Sequence, residues 1–260
     1  MRIADFACRA LGFGTVAALL SGCGGSQTSI GTRGAIPQAP ITAADLHGRS
    51  WMLPEAKREN LVYYSVGNYS GYPATFVFSL GGKLVGGLNV AGRLCSDDMG
   101  NVWIAGYPNG SGVELAEYAH GGAEPIETLD APSKSPSACA VDPTTGNLAA
   151  VDNGDVDIFY SGSSYPQILV DTKLALDDLT YDGSGNLFII GESVSRHRLE
   201  VAELPKETTK FEGRWGIIGL SATSGFRWDG KHLTIGDGLD EGGHELWRYV
   251  VRGNRLESRG

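Results

Sequence analysis

Acidic residues are the side chains most able to do chemistry in this sequence, because they occur in close groups. Those groups are Asp97–Asp98, Asp152–Asp157, Asp177–Asp178 and Asp237–Glu241. Calcium takes about six to eight oxygen ligands, mainly from carboxylates and carbonyls. The second group, Asp152-Asn153-Gly154-Asp155-Val156-Asp157, is the candidate calcium site, with Asp152, Asp155 and Asp157 as ligands. Because it lacks the ordered spacing and the final glutamate of an EF-hand loop, a solvated turn between two strands is the alternative.

Motifs of the common hydrolases and metal proteins are absent from the sequence. It contains no His-Glu-x-x-His, no Gly-x-Ser-x-Gly, no phosphate-binding glycine loop and no Cys-x-x-Cys. The five histidines, His47, His120, His197, His232 and His244, show no spacing typical of metal ligands. We therefore expect a non-catalytic protein without a cofactor, and keep a metal-dependent hydrolase that uses calcium as the alternative.

The first residues are typical of a processing signal rather than of a folded element. Arg2 and Arg9 precede a short apolar stretch, Ala10–Leu20, which leads into Leu20-Ser21-Gly22-Cys23. Small residues ahead of a cysteine resemble a lipobox, so we expect cleavage after Gly22 and a lipid, such as palmitate, on Cys23. An ordinary cleaved signal peptide with an incidental cysteine is the alternative.

Three regions follow from this interpretation. Residues 1–22 are the lipoprotein signal peptide, residues 23–40 are a small, polar, flexible linker, and residues 41–260 are the folded domain. The glycine that follows the lipidated cysteine resembles lipoproteins that are sent on to an outer membrane. We therefore expect a lipid-anchored protein of the cell envelope that faces the periplasm or the outside.

Composition restricts the partners and the fold class. The chain of 260 residues has a formal net charge of −9, and nucleic acid or anionic lipid would need a basic face. Its 38 glycines are about twice the average share, which favours many short strands joined by tight turns. The expected partners are a membrane, through Cys23, and an extracellular or periplasmic ligand that the sequence leaves open. We expect a monomer.

A unit of about 40–47 residues repeats along the folded domain. The copies contain LCSDDMGNVWIAG from Leu94, CAVDPTTGNLAAVD from Cys139, LTYDGSGNLFIIGE from Leu179 and FRWDGKHLTIGDG from Phe226. Each has an apolar strand, a tight turn and a second apolar strand, which is a hairpin pattern. The expected structural turn residues are Asp98 and Gly100, Asp142 and Gly146, Asp182 and Gly185, and Asp229 and Gly230.

A repeat of this length is typical of one four-stranded blade of a β-propeller, so the sequence predicts an all-β propeller. Further strands are expected after each hairpin, for example Pro125–Leu129 and Arg255–Ser258. Upstream, Leu61–Val66, Thr75–Leu80 and Lys83–Val90 predict a first blade that lacks an obvious innermost strand. About five blades are therefore visible, either as a five-bladed ring that closes by pairing of its ends or as a ring with a missing blade.

The four hairpins resemble those of the NHL, YVTN and gluconolactonase-like propellers, in which an Asp-x-x-Gly-Asn turn precedes the second strand. Segments such as Glu117–Gly122 and Trp228–Lys231 also resemble a set of exported lipoproteins of soil bacteria. This resemblance implies a six-bladed parent design. A rigid ring that displays variable loops on one face suits a membrane-tethered binding or scaffold module, which is the function we expect. The gluconolactonase-like members imply the alternative, a divalent-metal-dependent hydrolase of the lactonase type.

Two cysteines remain in the folded domain after processing, Cys95 and Cys139. An oxidising compartment favours a disulfide between them, and two separate buried thiols are the alternative. Alignment of the copies places both cysteines at one position, three residues before the turn aspartate, on innermost strands of consecutive blades. A bridge at that position would join the two blades.

Overall fold

The structure is a computed structural model that describes residues 49–259 except 70–71, 109–113, 171–172, 218–219, 221–222, 238–245 and 253–254. The expected signal peptide, the lipidated Cys23, the linker and the boundary at residues 40–41 lie outside the described residues, as do Asp240 and Glu241. In the described part, no helix is long and apolar enough to span a membrane.

The described residues form twenty strands and one short 3-10 helix, Pro54–Arg58. The first sheet, blade 1, contains β1 (Trp51–Met52), β2 (Leu61–Tyr69), β3 (Tyr72–Ser79) and β4 (Leu84–Leu88). Blade 2 contains β5 (Val90–Ser96), β6 (Val102–Pro108), β7 (Glu114–Tyr118) and β8 (Pro125–Leu129). Blade 3 contains β9 (Pro136–Val141), β10 (Leu148–Asp152), β11 (Asp155–Phe159) and β12 (Gln167–Leu169). Blade 4 contains β13 (Leu174–Tyr181), β14 (Leu187–Ser193), β15 (Leu199–Leu204) and β16 (Glu212–Gly216). Blade 5 contains β17 (Thr223–Trp228), β18 (Leu233–Asp237), β19 (Leu246–Arg252) and β20 (Arg255–Ser258).

Each sheet is antiparallel, and the first strand of each of blades 2 to 4 lies next to the first strand of the following blade. The series of innermost strands is β2, β5, β9, β13 and β17, with neighbours in contact in that order. An apolar cluster fills the space between each pair of consecutive blades. This is the arrangement of propeller blades, in which sheets pack face to face around a common axis.

Sheets in the middle of the series are apolar on both faces, because each is covered by a blade on either side. In β10 every residue of Leu148–Asp152 is buried, and in β14 six of seven residues are buried. Strands buried on both faces lose the alternation of apolar and polar residues that marks a half-exposed strand. This explains why runs such as LAAV and LFII stand at the second strand of the repeats.

The sequence predicted that blade 1 lacks an obvious innermost strand, and this prediction was wrong, because the strand that it failed to identify is the outermost one. Leu61–Tyr69 is itself the innermost strand, and the outermost strand is Trp51–Met52, which pairs with Gly86 and Gly87 of β4. The error arose because a two-residue strand has too little sequence to show any periodicity. The hairpin between β2 and β3 also lacks the aspartate turn that identifies the other innermost strands.

The first and last blades each keep one face that no described blade covers. On blade 1 this face carries Val62 and Tyr64, which are 46% and 62% exposed, beside the half-buried Phe76 and Phe78. The open face of blade 5 carries Arg227, Thr234 and Arg248 instead. β17 and β2 form no extensive contact in the described residues.

Candidate functional site: a central cavity

Aspartate carboxylates hold the turns that end the innermost strands. In blade 4, Asp182 accepts hydrogen bonds from the amides of Ser184 and Asn186 at 2.8 and 2.9 Å, and from the side chain of Asn186 at 2.9 Å. In the same way Asp142 accepts from the amide of Thr144 and Asp229 from that of Lys231. Glycines at positive φ complete the four turns: Gly100, Gly146, Gly185 and Gly230.

In blade 2 the carboxylate with this role belongs to Asp97 rather than Asp98. Asp97 accepts from the amides of Met99 and Asn101 at 2.9 and 2.8 Å and from the side chain of Asn101 at 2.9 Å, the same set of bonds that Asp182 makes. Asp98 is exposed. The assignment of the turn to Asp98 is therefore corrected by one residue, because adjacent aspartates gave two equally good alignments.

A disulfide joins Cys95 of β5 to Cys139 of β9, with Cα atoms 5.7 Å apart. The bridge links blades 2 and 3 as expected, but the two cysteines are not at equivalent positions. Cys95 lies two residues before its turn carboxylate, Asp97, and Cys139 lies three residues before Asp142. Residues at equivalent positions point to the same side of every blade, but two neighbouring blades face each other with opposite sides of their sheets. Because successive residues of a strand alternate between the two sides, an offset of one position lets the two cysteines face each other.

Beside this disulfide lies a cavity of about 620 Å³ to which all five innermost strands contribute. Its lining includes Leu61 and Tyr63, Leu94 to Ser96, Cys139 to Val141, Thr180 and Tyr181, and Arg227 and Trp228. The residues that complete it near the aspartate turns are Asn60, Asp98, Gly100, Val102, His120 and Pro143. The cavity has the size of a small-molecule site and combines aromatic, apolar and charged side chains.

Arg227 crosses this cavity region and is held by a buried carboxylate. Its Nη1 donates to both oxygens of Asp178 at 3.0 and 3.1 Å, and its Nη2 donates to the carbonyl of Leu94 at 3.4 Å. Asp178 also accepts from the amides of Leu179 and Phe226. The guanidinium of Arg227, in blade 5, thus contacts blade 4 through the carboxylate of Asp178 and blade 2 through the carbonyl of Leu94. A charge-assisted pair of this kind fixes the orientation of the arginine.

His120 has a structural role beside the cavity. Its Nε2 lies 2.9 Å from the carbonyl of Glu59, its Nδ1 lies 3.4 Å from the carbonyl of Gly100, and its amide donates to Asn101 Oδ1 at 3.2 Å. These contacts connect the turn of blade 2 to the chain that enters blade 1. The histidine therefore lines the cavity while its ring nitrogens face backbone carbonyls.

Asp152, Asp155 and Asp157 lie in blade 3, and none of them lines the central cavity. The two oxygens of Asp152 accept from the amides of Ser133 and Ser135 at 2.6 and 2.7 Å, so this carboxylate holds the preceding turn. Asp157 is 1% exposed, and its Oδ2 has no hydrogen-bond partner. Burial, followed by the charges of Asp152 and Asp155, raises the pKa of Asp157 to about 7.

Metal binding by these residues stays a prediction. Across the described ranges, no group of three or more His, Cys, Asp or Glu side chains is placed to hold a metal ion.

The tryptophans mostly pack between blades: Trp103 and Trp215 are buried in apolar clusters, and Trp228 and Trp247 pack against one. Trp228 also lines the cavity.

No family model and no curated protein matches the chain. A chain from a crystal structure of a nidogen/laminin complex matches with a TM-score of 0.57 and 18% identity, over 77% of this chain and 75% of that one. The fold is a β-propeller. A chain of dihydro-heme d1 dehydrogenase NirN, solved in complex with DHE, matches the propeller with a TM-score of 0.48 and 18% identity, over 83% of this chain and 46% of that one.

Sequence reasoning missed the two charged residues at the centre of the propeller. In the sequence Asp178 stands out only as part of an acidic pair, and no motif marks Arg227. The available signal is a position in the repeat: Arg227 occupies the place that Cys95, Ala140 and Thr180 hold in blades 2 to 4. A charged residue on a strand that must face the axis indicates a cavity-lining group.

Proposed function

We propose that this protein is a membrane-tethered, extracytoplasmic β-propeller that acts as a non-catalytic binding module and takes its ligand in the central cavity. The observation that carries the proposal is the cavity of about 620 Å³ that all five innermost strands line. A propeller suits binding, because its rigid sheets hold side chains from distant parts of the chain around one space. The tether is the lipid expected on Cys23.

Blocking the cavity tests its role as the ligand site. Asn60 is exposed and lines the cavity, so a bulky maleimide on Asn60→Cys would fill it. Ser184→Cys, on an exposed turn of blade 4, is the matched control. Both changes are made in a background that carries Cys8→Ser and Cys23→Ser, so that each protein has one free thiol beside the disulfide. Binding of sugars, amino acids and small aromatic acids is measured by thermal shift before and after labelling.

We expect labelling at residue 60 to abolish binding of any compound that raises the midpoint of unfolding, and labelling at residue 184 to leave it unchanged. Equal binding after both labels would place the ligand site elsewhere and refute the cavity as the site.

The tether is tested by growth with labelled palmitate in a Gram-negative host. The full chain is expected to carry label and to sediment with membranes, and Cys23→Ser to lose both properties. Cys8→Ser, which changes a cysteine within the expected signal peptide, is the control and should behave as the wild type. Label that persists in Cys23→Ser would contradict the tether.

A further inference from the structure

One edge of the Arg227 guanidinium is free to bind a ligand. Its Nη1 donates to Asp178 and to the carbonyl of Phe226, and one N–H of Nη2 faces the carbonyl of Leu94. Nε–H and the second N–H of Nη2 have no partner within the described part of the chain. The side chain is 46% exposed and lines the central cavity. Guanidinium donors form a rigid fork that matches the two oxygens of a carboxylate.

From this geometry we propose that the central cavity binds a ring-bearing carboxylate, whose carboxylate pairs with Arg227 and whose ring lies against the aromatic lining. This inference rests on the proposed function and names the class of ligand for the same cavity. It requires an arginine held in place before the ligand arrives, and a surface suited to a flat or cyclic group.

The first requirement is met by Asp178. This acid is buried and accepts four hydrogen bonds, two from backbone amides and two from Arg227 Nη1. Because the guanidinium is already fixed on one side, a ligand that pairs with its other side loses little affinity in ordering it. The exposed Asp98 at the rim opposes an anion only weakly, since water screens its charge.

The second requirement is met by the other lining residues. Tyr63, Tyr181 and Trp228 line the same cavity, together with Leu94 and the disulfide. Aromatic and apolar surfaces of this kind favour a ring over an extended, fully hydrated anion. Both an aromatic ring and a sugar ring fit this description, so the shared chemistry is a carboxylate on a ring.

Two matched pairs of probes test the inference by isothermal titration of the purified protein. Benzoate is compared with benzamide, and glucuronate with glucuronamide, so that each pair differs in the charge and not in the ring. In the wild type we expect at least one acid to bind about tenfold or more tightly than its amide, as a charge-assisted pair implies. The pair that shows the preference identifies the ring.

Arg227→Gln should remove this preference, and Arg248→Gln, at an arginine of similar exposure that does not line the cavity, should retain it. Arg227→Gln leaves the buried Asp178 without its cation, which can destabilise the variant. The comparison of acid and amide in the wild type is therefore a second test, which does not depend on the variant. Equal affinities within both pairs, no binding of any probe, or a preference that survives Arg227→Gln would overturn the inference. If instead a neutral compound binds, and the label at residue 60 prevents its binding, the proposed function is supported although this inference is wrong.

Discussion

Asp97 and Asp98 are neighbours in sequence, yet only Asp97 holds the turn between β5 and β6. We expect Asp97→Ala to lower the free energy of unfolding by about 1–3 kcal/mol, because it removes a charged acceptor from two amides and an asparagine side chain. Asp98→Ala should change it by less than about 0.5 kcal/mol, as is usual for exposed positions. Denaturant unfolding of the two variants measures the difference. Equal losses would show that the turn is not held as described.

Asp157 should make stability depend on pH. Its ordinary pKa of 3.8 is raised to about 7 in the folded protein, so between these values the folded chain keeps a proton that the unfolded chain has lost. The free energy of unfolding should therefore fall as pH rises from about 4 to about 7 and then level off. Asp157→Asn keeps the shape of the side chain without the charge. The free energy of unfolding of this variant minus that of the wild type should therefore be larger at pH 8 than at pH 4, by roughly 1–3 kcal/mol.

Asp130→Asn is the control for this measurement, because it removes an exposed acid from the neighbouring turn. Its stability relative to the wild type should not vary across the same pH range. If the free energies of unfolding of Asp157→Asn and the wild type differ by the same amount from pH 4 to pH 8, the pKa of Asp157 is not raised by burial.

The disulfide acts between elements, because it joins β5 to β9 over a sequence separation of 44 residues. Closing a loop of that length in the unfolded chain is worth about 2–4 kcal/mol. Reduction should lower the midpoint of thermal unfolding by roughly 5–15 °C, given about 2–4 °C per kcal/mol for a domain of this size. The double variant Cys95→Ser and Cys139→Ser should unfold at the lower midpoint and ignore reductant. Equal midpoints for the oxidised and reduced wild type would contradict the role of the bridge.

Much of the element-level structure could be predicted from sequence, because the signals are local. Pro125–Leu129 and Arg255–Ser258 form strands with the predicted bounds, since alternation and flanking turn residues lie within a few positions. The one-residue error in the blade 2 turn and the missing β1 have the same cause. A local pattern cannot choose between two adjacent aspartates, and a strand of two residues has no pattern.

At the scale of the whole molecule, blade 1 has one covered face and one open face among the described residues. Val77 is fully buried in the covered face, and Val62 is 46% exposed on the open one. Val77→Ala should therefore lower the free energy of unfolding by about 2 kcal/mol and Val62→Ala by less than about 0.5 kcal/mol. Chemical denaturation compares them. A loss at Val62 as large as that at Val77 would mean that the open face is covered.

The central site could not be predicted from sequence, because it depends on contacts between distant segments. Asp178 and Arg227 are 49 positions apart, and Leu94 is 133 positions from Arg227. The repeat predicts that these residues lie on innermost strands, but it contains no information about which side chains meet across the axis. Cavity volume likewise depends on the number and tilt of the blades rather than on any one of them.

Binding in the central cavity can be seen directly in a crystal structure of the protein soaked in a mixture of small sugars, amino acids and aromatic acids. We expect a bound molecule in the cavity that β2, β5, β9, β13 and β17 line, in contact with Arg227 or Trp228. Bound molecules that collect only elsewhere on the surface, or innermost strands that do not surround a common cavity, would contradict this expectation.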